Sequence, residues 1–349
     1  MTMDSAIPTH LRCPRTISRR VADDFVPSYP AWTARHDPAL EQIGVGYLGV
    51  QWKGKDAETG ARQAFEKIVA SVSAGDAMRH LDRAQYLDAK GFQNLIAIAY
   101  WDKPARMRDW RENLDAAQWW KSLAHEYPGI GLFQELVAPR VERFETLFSA
   151  SNQLEGAGKM FGGISDQIGE HSYYGSMRER IPAAQTDALL PAGHLERASV
   201  SDRHVRINGH ENVALIRSGQ DWTDTSGRER KIYLEDVEPV FRTGMSFLEK
   251  DGKEVGCYNN RYMQEVDAAG NALSKSFGLS FWHSLKDMED WAESHSTHVE
   301  IFGTFMKMVQ ALNFDIKLRL YHEVCVLKAD EQFYEYFNCH PDTGLTRGV

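Results

Sequence analysis

Cysteine is scarce in this chain: four in 349 residues, at Cys13, Cys257, Cys325 and Cys339. None makes a paired metal-ligand spacing or the C-x-x-C-H signature of covalent haem attachment, so a structural zinc site and a c-type haem are disfavoured while a non-covalent cofactor stays open. Basic charge is short as well. With 40 Lys and Arg against 49 Asp and Glu the net charge is −9, and no basic stripe is present to neutralise phosphates, which argues against nucleic acid as a partner. No apolar run is long enough to cross a bilayer, and residues 1–20 are polar and broken by Pro8 and Pro14. The expectation is a cytoplasmic protein that engages neither nucleic acid nor membrane. No G-x-G-x-x-G, Walker loop or nucleophile elbow stands at a strand-to-helix junction.

What is present is an internal duplication. Trp101, Met107, Asp109 and Trp110 form a pattern that returns 181 positions later as Trp282, Met288, Asp290 and Trp291. Each copy follows an apolar run, so each reads as a strand entering a helix. Leu132-Phe133-Gln134-Glu135-Leu136-Val137 then lies over Leu320-Tyr321-His322-Glu323-Val324-Cys325, and Glu142 and Phe144 over Glu331 and Phe333. At this length two domains or one pseudo-symmetric pair is the natural expectation.

Hydrophobic periodicity predicts strand 43–52, helix 58–73, strand 92–101, helix 116–126 and strand 132–138 in the first half. In the second half it predicts strand 212–218, helix 233–250, strands 257–266 and 276–282, helix 295–312 and strand 317–327. Strand, helix, strand, strand, helix, strand is the ferredoxin-like order. The expected fold class is α+β: two ferredoxin-like units in a pseudo-twofold arrangement of the dimeric α/β-barrel type, with helices outside, because each sheet otherwise leaves an apolar face uncovered. The boundaries are an irregular N-terminal arm at 1–38, a first unit at 39–155, a glycine-containing connection at 156–205 and a second unit at 206–349. The arm, with Pro27, Pro30 and Pro38, is expected to wrap the surface or a partner subunit. The connection has no counterpart in the repeat, and a long connection inside a compact protein is often functional. It carries Tyr173, Tyr174 and the run Gly175-Ser176-Met177-Arg178-Glu179-Arg180.

Chemistry is sought where the symmetry breaks. His298 and His322 occur only in the second copy, opposite Ala117 and Gln134. His298 heads a helical stripe with Phe302, Phe305, Val309 and Leu312; a core or helix-start histidine gives the same pattern, but so does an axial ligand above an apolar haem face. His295, one turn earlier, is its rival. His322 falls on the alternating face Leu318, Leu320, His322, Val324, Val326, read as inward; it is either a structural histidine tied to a neighbour or a general acid and base, since imidazole titrates near neutrality. Ser218 ends the alternation Ala214, Ile216, Ser218, and for a serine so placed a strand-ending turn is the ordinary reading. Arg178 and Arg180 are surface charge or ion-pair partners in the plain reading, and anion holders in the functional one. Glu142 and Glu145 carry no signal of their own.

Gly175-Ser176-Met177-Arg178, residues 215–222, the His298 helix and residues 320–324 together resemble the haem-containing aldoxime dehydratases, lyases that convert aldoximes to nitriles. The resemblance covers most of the chain. It implies that His298 is the axial ligand of a non-covalent haem b, ferrous in the active state, that Ser218, Arg178 and His322 are catalytic on the opposite side of the haem, and that Glu142 stands behind them, with Glu145 as its competitor. It also implies paired ferredoxin-like units and a homodimer. In the implied reaction ferrous iron binds the oxime nitrogen, Ser218 holds the hydroxyl, Arg178 orders the network, and His322 protonates the departing oxygen before taking the proton from the oxime carbon. General acid help of this kind is worth roughly 10² to 10⁴-fold. The alternatives are a haem peroxidase-like enzyme on the same scaffold, which would favour peroxide, and a colourless cofactor-free protein with two ordinary core histidines.

Overall fold

The computed structural model describes residues 3–74, 78–201 and 203–349. Its first half runs β1 (Gly44–Trp52), α1 (Glu58–Ser73), β2 (His80–Leu87), β3 (Gln93–Trp101), α2 (Pro104–Ala116), α3 (Trp119–Glu126), β4 (Ile130–Val137) and β5 (Phe144–Phe148). The connection holds α4 (Ala157–Phe161), α5 (Ser176–Arg180), β6 (Glu196–Ser201) and β7 (His204–Asn208). The second half runs β8 (Val213–Asp221), α6 (Gly227–Ile232), α7 (Glu238–Asp251), β9 (Cys257–Val266), β10 (Ala272–Trp282), α8 (Leu285–Ser294), α9 (Ser296–Ala311), β11 (Arg319–Leu327) and β12 (Gln332–Phe337).

These twelve strands join one antiparallel sheet in the order β5-β11-β8-β10-β9-β2-β3-β1-β4-β12-β7-β6, and a separate two-stranded sheet pairs Ala34–Arg35 with Gly163–Ile164. Within it the four main strands of each half take the same spatial order, β2-β3-β1-β4 and β9-β10-β8-β11. The halves meet where β2 pairs with β9, Ala84 facing Glu265. They also exchange their last strands: β5 leaves β4 to pair with β11, and β12 leaves β11 to pair with β4. The repeated motif is visible in three dimensions. Trp101 and Trp110 meet at 5.9 Å and 39°, and Trp282 and Trp291 at 5.6 Å and 44°. Met107 and Met288 are buried beneath them.

Strand alternation sends one face of each half into a shared core, where Tyr47, Ile98 and Phe133 pack with Phe277, Leu279 and Phe281. The other face of each half goes under its own helices. Helix α1 turns Ala61, Ala64, Phe65, Ile68, Val69 and Val72 inward, the three-and-four spacing of one helical face. Helix α8 starts at Ser284, whose hydroxyl accepts from the Asp287 amide.

Two differences from the periodicity reading have local causes. The predicted helix 116–126 is α3, which starts at Trp119 after Gln118 in the left-handed region at φ 48°, and α2 precedes it as a further helix outside the predicted range. Only Met107 of α2 is buried, so its sequence shows little apolar stripe. Strand β2 lies outside the elements that periodicity predicts because its sequence, His80–Leu87, is largely polar. Asp82, at the seam between the halves, is held there by Arg217 at 2.7 Å rather than by an apolar face.

Candidate functional site

Ser218 of β8 and His322 of β11 face each other directly across the antiparallel ladder. Side chains so paired lie on one face of the sheet, within reach of one group. That face is not the shared core. Cys325 and Leu327 of β11 enter the shared core, whereas Val324 and Val326, in phase with His322, pack with Ala214, Met245 and Leu285 under the second-half helices. The alternating apolar face that carries His322 is the one turned toward the helix layer. Arg217, Gly219, Tyr321 and Glu323 on the opposite face are buried, but Ile216, Ser218, Leu320 and His322 are only half-buried. An interior strand pair with a half-exposed face means that its covering helices stand off. Helix α8 lies on β8 and β10, and α7 lies on β9. Helix α9 packs on α7, α8 and the π-helical turn Tyr233–Val237. Its far end closes over Leu318 and Trp222 through Phe305, Met308 and Leu312. Helix α9 thus rests on α7 and α8, and this patch of sheet beneath the helix layer stays partly exposed.

On this patch of sheet, His322 Nε2 lies 2.8 Å from Arg180 Nη2 and 3.0 Å from Glu145 Oε1. Arg180 grips Glu145 through Nε at 2.7 Å and Nη2 at 3.1 Å, with both side chains about fully buried. Glu145 reaches this place because β5 is added to β11, setting Glu145 opposite Val324 and Leu147 opposite His322. Burial pushes the Glu145 carboxyl up, but the Arg180 guanidinium and then His322 pull it below the usual carboxylate range. The imidazole therefore has a partner in either state. Neutral Nε2 accepts from Arg180; protonated Nε2 donates to Glu145.

Arg178 and Glu142 are not brought to this cluster. Arg178 donates to Glu289 of α8 at 3.1, 3.1 and 2.8 Å and to the Ala188 carbonyl at 2.8 Å. Residues two apart on a helix diverge by about 200°, so on α5 the arginine that meets His322 is Arg180. Glu142 sits in the turn Val141–Arg143 ahead of β5, and among the described residues no hydrogen bond or ion pair joins it to His322. Pairing β5 with β11 in advance would have picked Glu145 by its cross-strand place, a signal that needs the strand exchange to be known.

In the helix layer His298 occupies the first turn of α9, its ring 4.8 Å from Trp291 and 6.5 Å from Tyr174. Burial pushes this imidazole down to about 4, a backbone hydrogen bond to Ala292 acting the other way. It is thus neutral near pH 7, the form that ligates a metal. Its Nδ1 is buried without a partner. His295, by contrast, is the N-cap of α9: its Nδ1 lies 2.9 Å from Thr297 Oγ1 and its ring stacks on Phe247 at 4.3 Å. Among the described residues no group of three or more His, Cys, Asp or Glu side chains is placed to hold a metal ion. A lone neutral histidine suits an iron that brings its own equatorial ligands, as haem iron does.

The family profile described as haem-containing dehydratase matches residues 46–345. The chain belongs to the haem-containing aldoxime dehydratase family. An aliphatic aldoxime dehydratase of Rhodococcus erythropolis is 45% identical over 99% of this chain and 98% of its own length. A phenylacetaldoxime dehydratase of Bacillus sp. (strain OxB-1) is 30% identical over 94% of this chain and 93% of its own. The crystal structure of an aldoxime dehydratase in complex with butyraldoxime superposes with TM-score 0.94 at 44% identity, covering 99% of this chain and 97% of that one. As a member of this family the dehydratase is a lyase that uses haem.

Proposed function

We propose that this haem-containing dehydratase removes water from aldoximes, R–CH=N–OH giving R–C≡N and H₂O, with His298 as the iron ligand and Ser218, His322, Arg180 and Glu145 acting on the oxime. The observation that carries this reading is the half-buried cross-strand pair Ser218 and His322 on the face turned toward the helix layer, a layer that also holds a neutral histidine with an unpartnered buried nitrogen. The butyraldoxime bound by a relative of TM-score 0.94 supports the substrate class.

Haem, when held by His298, supplies a reduced iron able to give electron density to the N–O bond. The side chains supply the protons. Ser218 holds the oxime hydroxyl by a hydrogen bond. Protonated His322 gives its proton to the departing oxygen, so that water rather than hydroxide leaves. The imidazole, then neutral, takes the proton from the oxime carbon and completes the nitrile. Glu145 holds the charged ring, Arg180 the neutral one, and neither has to move between the two states. Arg178 belongs to the frame, tying α5 to α8.

The scaffold reading goes with this function: two ferredoxin-like units, 39–155 and 206–349, related by a pseudo-twofold axis as in a dimeric α/β barrel. The equal strand orders and the exchanged last strands support it. The arm at 1–38, the connection at 156–205, a homodimer and a cytoplasmic location complete the proposal. Four unpaired cysteines suit a reducing compartment. No helix among the described residues is long and apolar enough to cross a membrane.

The test is the visible spectrum of the purified protein, reduced without oxygen, before and after adding butyraldoxime, with nitrile followed in the same cuvette. A histidine-ligated haem spectrum that shifts as butyronitrile forms is the expected result. A haem-loaded protein that makes no nitrile, or a colourless one that haem does not restore, overturns it.

A further inference from the structure

Arg180 stands in the cluster on a five-residue helix, too short to hold its own place. Something outside α5 has to do so. Both carboxylate oxygens of the buried Glu179, the residue beside Arg180, are taken by the N-terminal arm: Arg20 donates its amide to Oε1 at 2.5 Å and Arg19 its Nε to Oε2 at 2.8 Å. The arm takes a second grip at Glu170, whose carbonyl receives Arg180 Nη1 at 2.7 Å. The Glu170 carboxylate accepts from Ser5 Oγ and from the Ala6 amide, each at 2.8 Å. Gly175, at φ 87°, opens α5, and a Cβ there would meet the Arg20 side chain at 3.1 Å, so the approach of the arm depends on that glycine.

We propose that the N-terminal arm is a latch for the active-site arginine: Arg19 and the Arg20 amide hold Glu179, Ser5 and Ala6 hold Glu170, and the two together set Arg180 against His322 and Glu145. Glu179 and Glu170 are positioning residues, since they act through Arg180 and do not reach the oxime. This rests on the active-site reading above. Charge-assisted bonds on both oxygens of a buried carboxylate are strong and directional, and a small displacement of a group that orders proton transfer costs rate more than binding.

The test uses the haem-loaded full-length enzyme with Glu179→Gln, Arg19→Ala, Arg19→Lys and Arg180→Ala. Glu179→Gln keeps the shape and removes the charge, and Arg19 is at the surface edge, so these variants are expected to fold. The latch predicts that Glu179→Gln and Arg19→Ala lower kcat by about tenfold to a hundredfold with KM and haem content near the parent, and change the pH dependence of kcat. Arg19→Lys should recover most of the loss. Parental kcat and pH profile in Glu179→Gln and Arg19→Ala, beside an inactive Arg180→Ala, overturn the latch and leave the active-site reading standing. Haem loss in step with activity, unrelieved by Arg19→Lys, also overturns it, as plain structural damage. An Arg180→Ala enzyme that keeps its turnover removes the active-site reading and the latch with it.

Discussion

The two histidines that break the symmetry of the chain are expected to fail differently when removed. His298→Ala deletes the iron ligand, and the measurement is the haem absorbance per protein after purification, which should fall nearly to zero. His322→Ala leaves that ligand in place; it should retain haem and bind aldoxime, while kcat falls by about 10² to 10⁴-fold. Turnover in haem-replete His322→Ala at the parental rate would end its acid-base role. His298 also carries a pH signature. Its folded imidazole resists protonation until about 4, whereas the free side chain takes a proton near 6.5. Between those values the unfolded chain binds more protons. The contribution of His298 to stability is therefore whole above 6.5 and is lost as pH falls toward 4, amounting to about 3 kcal/mol. Denaturant titrations of the haem-free protein at pH 7 and pH 4.5 should show this loss, and His298→Leu should shrink it.

The elements around the site are placed by caps and edges as much as by core packing. Helix α8 carries Glu289 toward Arg178 and Trp291 against His298, and it begins where Ser284 accepts from the Asp287 amide at 3.1 Å. Ser284→Ala is expected to cost about 1 kcal/mol of stability, read as a lower urea midpoint with unchanged slope. A cost near zero would mean that the strand end at Trp282 alone sets the start of α8. Strand β5 matters in another way. It is an edge strand on the half to which it does not belong in sequence, and it brings Glu145 to His322. Glu145→Gln keeps the shape and one acceptor oxygen but no negative charge for the protonated ring, so kcat should drop while haem content holds.

At the scale of the whole molecule the two halves are stitched by buried ions at their seam. Arg217, fully buried, lies 2.7 Å from Asp82, 2.9 Å from Glu265 and 2.8 Å from the Tyr100 hydroxyl. That hydroxyl in turn donates to Glu323 at 2.6 Å. These five residues come from β8, β2, β9, β3 and β11. A second buried pair also joins the halves, Arg261 of β9 gripping Glu135 of β4 at 2.6 and 2.5 Å. Glu135 is the repeat partner of Glu323 in the sequence alignment. Arg217→Met would leave Asp82 and Glu265 buried without their cation, and should destabilise the fold by about 3–5 kcal/mol. A thermal melt within a degree of the parent would show that the seam is held by its apolar contacts alone.

The sequence alone determined the duplicated frame. A repeat of Trp, Met, Asp and Trp survives as two ring pairs of nearly the same geometry because each position is local, a strand end packing on the first turns of its own helix. The strand containing Ser218, the strand containing His322 and the helix headed by His298 were legible for the same reason: period two and period three-to-four are properties of neighbours in the chain. Only the tertiary structure chose among residues that are alike in sequence. Arg180 over Arg178 follows from which side of a short helix faces the sheet. Glu145 over Glu142 follows from a strand that crosses to the other half. The direction in which His322 points, and the arm that closes on Glu179 from 159 and 160 residues away, are contacts between segments distant along the chain. No local pattern encodes which of two equivalent charges will meet its partner there.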